Sequence, residues 1–266
     1  MAYWLAASAK TPNMTLREDG VAVAVARASD PHYRIRCSSG WKCTLGAFGS
    51  VPIPSGTKPD PSDDGHLAIC DPVAHHEWDL WHATCCWGAV AGSAIATRRQ
   101  SVAPRGTASA DAANFPLLGG LIRPEEIARG LIAHPLVFGQ PGIGPGPPIC
   151  PATSNAPTSS NPLALREGTQ LQLDPAVNVR KLQLPAWQKV IAKALQVYGM
   201  YLRDNSGTLA IYAENPLNRA SDPWRALGLG GGSASFSPHF PWSRMRVLKA
   251  PRLRAGACPR PHKPGR

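Results

Sequence analysis

The chain has 266 residues, and 43% of them are hydrophobic, which is enough to bury a core. With 28 prolines, 25 glycines and only 17% charged residues, the composition favours short strands joined by turns and argues against a protein built of long helices. The net charge of +11 does not indicate a nucleic-acid-binding body, because residues 223–266 carry nine Lys and Arg and no Asp or Glu, which leaves the rest of the chain nearly neutral.

The N-terminal part of the chain is predicted to contain short strands and one hairpin. Residues 1–20 have the character of a loose lead-in, and alternating side chains predict strands at 21–25 and 33–36. A Pro-rich connection at 51–64 then leads into a hairpin at 66–81. This hairpin is the most informative segment of the sequence, because its two faces differ in chemistry.

A turn at 72–75 fixes the register of the predicted hairpin. It pairs Ile69 with Trp78 and Leu67 with Leu80, so these four side chains form an apolar face. The opposite face carries polar and aromatic side chains: His66, Glu77, Asp79 and Trp81.

The middle of the chain gives weaker signals. Segment 88–114 predicts only weak strands, whereas Pro124, two acidic residues after it and Gly130 predict a short helix at about 124–129. A strand at 131–138 and a surface loop rich in Pro, Gly and Ser at 139–161 follow.

The clearest helix follows Pro185. Its apolar side chains recur at i, i+3, i+4 and i+7, which predicts an amphipathic helix at about 186–198 that packs on a sheet. A second hairpin is predicted from strands at 200–203 and 208–213. Its core-facing side chains are Met200, Leu202, Leu209 and Ile211, and Tyr201 and Tyr212 lie together on the other face.

These elements predict a mainly β protein of the sandwich or jelly-roll type, in one domain at 21–248. The basic tail at 249–266 is expected to be flexible and solvated, without a specific nucleic-acid partner. The sequence contains no run of about 18 apolar residues, so no membrane span is predicted.

The cysteines do not form a recognisable metal or redox motif. None of the seven belongs to a C-x-x-C pair, and Cys37 and Cys43 are spaced for a small-loop disulfide in an oxidising compartment, with buried free thiols as the alternative. Residues 1–10 have too few apolar side chains and no basic start for a normal signal peptide, so export is not indicated by this end of the chain.

Several motifs occur in a fixed order along the chain. They are HLAIxDP from His66, WDLW from Trp78, LIRPEEI from Leu121, IxH from Ile132, YGMYLxD from Tyr198 and IYAENP from Ile211. Over roughly 20–250 this set resembles a family of mostly secreted actinobacterial and related bacterial proteins. The resemblance implies a β-rich, extracellular domain, and it supplies no catalytic residue.

The chain departs from the pattern of that family at three places. His75 stands at a turn position where the relatives tend to have Gly, and Pro135 stands where a small residue is usual. The region of Cys85 and Cys86 also differs from the family pattern.

The polar hairpin face predicts a candidate catalytic set. Glu77 and Asp79, two residues apart on one strand, place their Cβ atoms roughly 6–7 Å apart, near the spacing of the carboxylate pairs of glycosidases. His66 or His134 is then the candidate general base of a glycan-cleaving hydrolase or lyase. The alternative is an ordinary polar face that is exposed to solvent.

The same face also predicts a binding site without catalysis. Trp81, Tyr201 and Tyr212 are candidate flat platforms for a polysaccharide or other glycan, since sugar rings stack on aromatic side chains. We favour a carbohydrate-associated, glycan-binding protein, with a glycan-cleaving enzyme and a structural or protein-interaction domain as alternatives. No metal or cofactor is predicted, because the histidines around the hairpin lack the spacing of a metal site.

Overall fold

A computed structural model describes residues 12–37, 50–84, 87–89, 91–96 and 110–249. The strands are β1 (Asn13–Thr15), β2 (Val21–Val25), β3 (His32–Tyr33), β4 (Arg36–Cys37), β5 (Val51–Pro52), β6 (Leu67–Asp71), β7 (His76–Trp81), β8 (Gly88–Ala89), β9 (Ala91–Ala96), β10 (Leu136–Gln140), β11 (Gln170–Leu173), β12 (Met200–Asn205), β13 (Ala210–Ile211), β14 (Glu214–Asn215), β15 (Ser233–Ser235) and β16 (Met245–Val247). The helices are α1 (Pro124–Arg129), α2 (Ala186–Val197) and α3 (Pro223–Ala226).

The protein is mainly β, with a sandwich-like arrangement of two large sheets, as the sequence predicts. One sheet has seven strands in the order β15-β1-β13-β10-β12-β11-β16, and the other has five in the order β14-β2-β6-β7-β9. Both sheets are mixed, since β10 runs parallel to β12, and β2 runs parallel to β6 and β14. Pairs β3-β5 and β4-β8 form short ribbons.

Apolar side chains are arranged in three clusters that follow the two sheets. On one side of the seven-stranded sheet, Ile191 and Leu195 of α2 share a cluster with Phe138 and Met200. Between the two sheets, Val23 of β2 shares a cluster with Val137, Tyr212 and Phe115. On the remaining side of the five-stranded sheet, the apolar hairpin face is covered by a third group of side chains: Val51, Ile53, Ala83 and Trp87.

The hairpin has the predicted register. Ile69 pairs with Trp78, and Leu67 pairs with Leu80. His75 lies in the turn with a φ of 57°, the left-handed region that favours Gly.

We expect His75→Gly to stabilise the protein by up to about 1 kcal/mol, because the left-handed conformation strains a residue that has a Cβ. The His75 side chain is exposed, so its removal exposes no core. Urea unfolding of the two proteins measures the difference. The neighbouring Val73→Gly, at an exposed position without positive φ, is the control and should destabilise slightly. Equal effects of the two substitutions would contradict the explanation.

Both predicted helices are confirmed. In α1, Pro124 occupies the first turn, the Glu126 carboxylate accepts a hydrogen bond from the Arg123 N–H at 2.9 Å, and Gly130 ends the helix at φ 74°. Helix α2 begins directly after Pro185 and buries the predicted apolar stripe against the seven-stranded sheet.

For the predicted second hairpin, the strand pairing is wrong, but the assignment of side chains to the two faces of the sheet is correct. Strand β10 lies between β12 and β13, parallel to the first and antiparallel to the second. The turn residues at 204–207 indicate a local reversal of the chain, and such a signal does not reveal a third strand inserted between the two. The apolar side chains of both strands still share one cluster, with Tyr201 and Tyr212 on the opposite side.

Two loop predictions also require correction. The lead-in at 1–20 contains β1, which pairs with β13 and β15, and Met14 and Leu16 are fully buried. A three-residue strand is too short for its periodicity to be detected. The loop predicted at 139–161 begins with the last two residues of β10, and Ile143 and Ala152 within it are buried, so this segment is part of the packed body as well as its surface.

Candidate functional site

The polar face of the hairpin turns inward, towards the seven-stranded sheet. Glu77 is 3% exposed and Asp79 is completely buried. Asp79 pairs with Ala68, which belongs to the cluster between the sheets. The sequence predicted either a reactive face or a solvated one, and the structure instead places this carboxylate pair between two sheets.

The two carboxyl groups are held by the chain that passes over them. The N–H of Leu118 donates to Glu77 Oε1 at 2.8 Å, and the N–H of Leu117 donates to Asp79 Oδ2 at 3.2 Å. Burial raises the pKa of both groups, and the charge of Glu77 raises the pKa of Asp79 further. Two neighbouring carboxyl groups form a hydrogen bond with each other only when one of them carries a proton, which the raised pKa of Asp79 favours.

A buried ion pair lies beside the two carboxyl groups. Arg203 of β12 is 2% exposed, and its Nε lies 2.6 Å from Asp111 Oδ2. Its Nη1 donates to the Leu117 carbonyl at 3.2 Å. Burial raises the pKa of Asp111 to about 7, against the opposing influence of the Arg203 guanidinium. We call Glu77, Asp79, Asp111 and Arg203 the inter-sheet polar cluster.

His66 lies at the edge of this cluster. It is 7% exposed, and its Nε2 lies 3.0 Å from the Ala110 carbonyl oxygen, so this nitrogen carries the proton that it donates. Burial lowers the pKa of His66, and the charge of Arg203 lowers it further. The imidazole is therefore neutral near pH 7, with its Nε2 already engaged.

The burial of the inter-sheet polar cluster determines what it can do. Its hydrogen bonds join β7 and β12 to the chain at 110–118, so it fixes how the two sheets and this segment meet. A substrate would reach Glu77 or Asp79 only if the sheets separated, because both side chains are almost completely buried. The geometry therefore favours a structural role for this carboxylate pair.

An open cleft lies next to the buried cluster. It has a volume of about 420 Å³ and is formed where β1, β13 and the loop 205–208 meet Asp64. Its polar lining includes the following side chains: Glu18, Asp19, Asp64, Asn205, Ser206 and Tyr212. We call it the acidic cleft, because none of the described residues that line it is Lys, Arg or His.

Of the predicted aromatic residues, Tyr212 lines the acidic cleft, and Trp81 contacts one of its lining residues. Trp81 is partly exposed, and its Nε1 donates to Asp64 Oδ1 at 2.9 Å, while its ring meets His82 edge-on. Tyr212 lines the cleft directly and is 9% exposed. The Arg203 guanidinium carbon lies 5.2 Å from the centre of the Tyr212 ring, so this tyrosine joins the inter-sheet polar cluster to the cleft.

The other predicted residues lie outside the cleft. The ring of Tyr201 packs edge-on against Phe115 at 6.3 Å, on the rim of the layer between the sheets. His134 lies beyond α1, with its Nε2 3.0 Å from the Glu126 carboxylate. Burial lowers the pKa of His134, but the hydrogen bond with Glu126 outweighs this and the pKa is raised overall. His134 therefore joins neither the buried cluster nor the cleft.

Several important residues were missed by the sequence analysis. Asp111 lies in a segment without a clear periodicity, and Glu18 and Asp19 fall in the supposed lead-in. Arg203 had a detectable signal, because it follows Tyr201 at a spacing of two on a strand and so shares its face. An arginine on a face that is otherwise aromatic and apolar indicates a buried partner.

A larger cleft is a weaker candidate. It has a volume of about 700 Å³ and lies between α2 and the segment 175–180, with Arg180, Lys189 and Lys193 in its lining. No aromatic side chain lines it among the described residues. Its cations are attached to long, mobile side chains at the surface, which are common on any helix.

The described part of the chain contains neither a metal-ligand cluster nor a helix suited to a membrane. No three His, Cys, Asp or Glu side chains within it converge on a possible metal position. None of its helices is long and apolar enough to cross a bilayer. No family model matches the chain, and neither the curated proteins nor the solved structures include a match.

Proposed function

We propose that this protein binds glycans and that the acidic cleft is the binding site. The observation that carries the proposal is one open cavity lined by hydroxyl, amide and carboxylate groups and by Tyr212, with Trp81 hydrogen-bonded to the lining residue Asp64. Its volume of about 420 Å³ lies in the range of small-ligand sites. Sugars use both kinds of surface, since their hydroxyls form hydrogen bonds and their ring faces pack on aromatic side chains.

The disulfides support an extracellular setting for this function. Cys37 and Cys150 each take part in a disulfide bond, and Cys70 is a free, partly buried thiol. Disulfide bonds form and persist in oxidising compartments, which include the outside of the cell. Cys43, the partner considered from the sequence for Cys37, lies outside the described residues.

Glycan cleavage is a weaker proposal. The Glu77 and Asp79 carboxyls are buried, and each already accepts a backbone hydrogen bond, from Leu118 and Leu117 respectively. A general acid or base must come within hydrogen-bond reach of the atom that it protonates or deprotonates. The proposal is therefore limited to binding.

We expect the purified chain to bind members of an oligosaccharide array, and Tyr212→Phe to lose most of that binding. The substitution removes one hydroxyl from the cleft and keeps the buried ring. The free energy of unfolding should therefore remain within about 0.5 kcal/mol of the native value. Tyr198→Phe is the matched control, because Tyr198 lies at the end of α2, outside the cleft lining. An array without hits for the folded protein would overturn the proposed function and favour a structural role.

A further inference from the structure

Within the described part of the chain, no basic side chain forms an ion pair with the carboxylates of the acidic cleft, which belong to Glu18, Asp19 and Asp64. The nearby basic residues have other partners, since Arg17 pairs with Asp222 and Arg203 pairs with Asp111. The cleft is therefore a concentrated negative site on a chain whose net charge is +11.

Further carboxyl groups near the cleft, those of Asp60 and Asp63, strengthen this field. Burial raises the pKa of Asp19, and the charges of Asp60, Asp64, Glu18 and Asp63 add to the rise. Bringing these groups together destabilises the free protein. A cation in the cleft would relieve the repulsion.

The hydroxyl of Tyr212 is an independent indication of a ligand. The side chain is more than nine-tenths buried, and no described residue forms a hydrogen bond with its hydroxyl. A Cβ on Gly139 would lie 3.0 Å from this oxygen and 2.8 Å from Cβ of Ser206, so glycine keeps the space beside the hydroxyl open. Phenolic hydroxyls with so little exposure usually have a partner.

We propose that the acidic cleft selects glycans that carry free amino groups, as in chains of glucosamine. This inference rests on the proposed glycan-binding function and names its ligand class. The ammonium groups of successive sugars pair with separate carboxylates of the cleft, those of Glu18, Asp19 and Asp64, and the sugar hydroxyls pair with Tyr212 and the amide of Asn205. An acetylated amine loses the charge, and an acidic sugar is repelled.

Titration calorimetry of the full chain with three hexasaccharides tests the inference. The probes are the β-1,4-linked hexamers of glucosamine, N-acetylglucosamine and glucose, which share one backbone and differ in charge. We expect the glucosamine hexamer to bind at least about tenfold more tightly than the others, with an advantage that shrinks as salt is added. The double variant E18Q/D19N should lose this preference, because it removes two cleft charges from exposed positions.

A matched control separates a specific site from general attraction between charges. D30N/E125Q removes the same number of charges at positions outside the cleft, and should keep the preference for the glucosamine hexamer. Equal loss in both double variants would overturn the inference. Tighter binding of a neutral hexamer would overturn it and leave the proposed function intact, whereas no binding of any hexamer would overturn both.

Discussion

Arg203→Met is expected to lower the free energy of unfolding by about 3–5 kcal/mol at pH 8, because it leaves a buried carboxylate without its cation. Asp111 loses the guanidinium that lies 2.6 Å away, and the Leu117 carbonyl loses a donor. At pH 6 the loss should be smaller, because Asp111, whose pKa is already raised to about 7, can take up a proton. Urea unfolding at the two pH values measures both effects.

Two further variants show whether the unpaired charge is the cause. Arg203→Met combined with Asp111→Leu removes both charges, and we expect it to recover most of the lost stability. Arg225→Met removes an ion pair with Asp222 from a side chain that is 70% exposed, and should change stability by less than about 0.5 kcal/mol. If Arg203→Met destabilised no more than this control, the buried ion pair would have no structural importance.

Glu167→Gln is expected to remove a large part of the pH dependence of stability. Glu167 is fully buried, and burial raises its pKa to about 8, although the N–H of Ala156 donates to its Oε2 at 2.9 Å. The folded protein therefore keeps a proton between about pH 4.5 and pH 8 that the unfolded chain has released. Stability falls as pH rises through this window, by about 1.4 kcal/mol for each unit.

Glutamine cannot titrate, so the variant should gain stability relative to the native protein as the pH rises. The gain between pH 5 and pH 8 is expected to be on the order of 4 kcal/mol, measured as the difference between two unfolding curves at each pH. Glu125→Gln is the control, because the pKa of this half-exposed carboxyl is lowered by its hydrogen bond with Arg219, which outweighs the opposing effect of burial. A constant difference between Glu167→Gln and the native protein would refute the raised pKa.

Other titratable groups also contribute to the pH dependence of stability. The raised pKa values of Asp79 and Asp111, like that of Glu167, make the folded protein less stable as the pH rises. His66 has the opposite effect on stability, because its pKa is lowered in the folded protein. Below about pH 6.5 the unfolded chain binds a proton at this residue that the folded protein does not bind, so stability falls as the pH is lowered. Stability should therefore be greatest in mildly acidic solution.

The function proposed here follows from where charges are paired and where they are not. In the inter-sheet polar cluster each charge meets an opposite charge, a backbone donor or a shared proton, which is what a structural centre requires. In the acidic cleft no carboxylate has a basic partner among the described residues, although Asp64 accepts a hydrogen bond from Trp81, and the cavity is open to ligands. Because of this contrast, we propose the acidic cleft as the binding site, in place of the polar hairpin face that the sequence indicated.

The sequence alone was sufficient for the features that depend on local periodicity. The register of the hairpin at 66–81, helices α1 and α2 and the two faces of β12 were all predicted, because side-chain alternation and capping residues lie within a few positions of each other. The mainly β, sandwich-like class followed from these elements and from the abundance of Pro and Gly.

Only the tertiary structure decided which faces are buried and which side chains meet. A strand pattern distinguishes two faces but does not state what covers each, so Glu77 and Asp79 were predicted on an accessible face and lie between two sheets. The insertion of β10 between β12 and β13 and the pairing of Arg203 with Asp111 join residues far apart in the chain. Such contacts depend on how the sheets pack, and no local pattern encodes them.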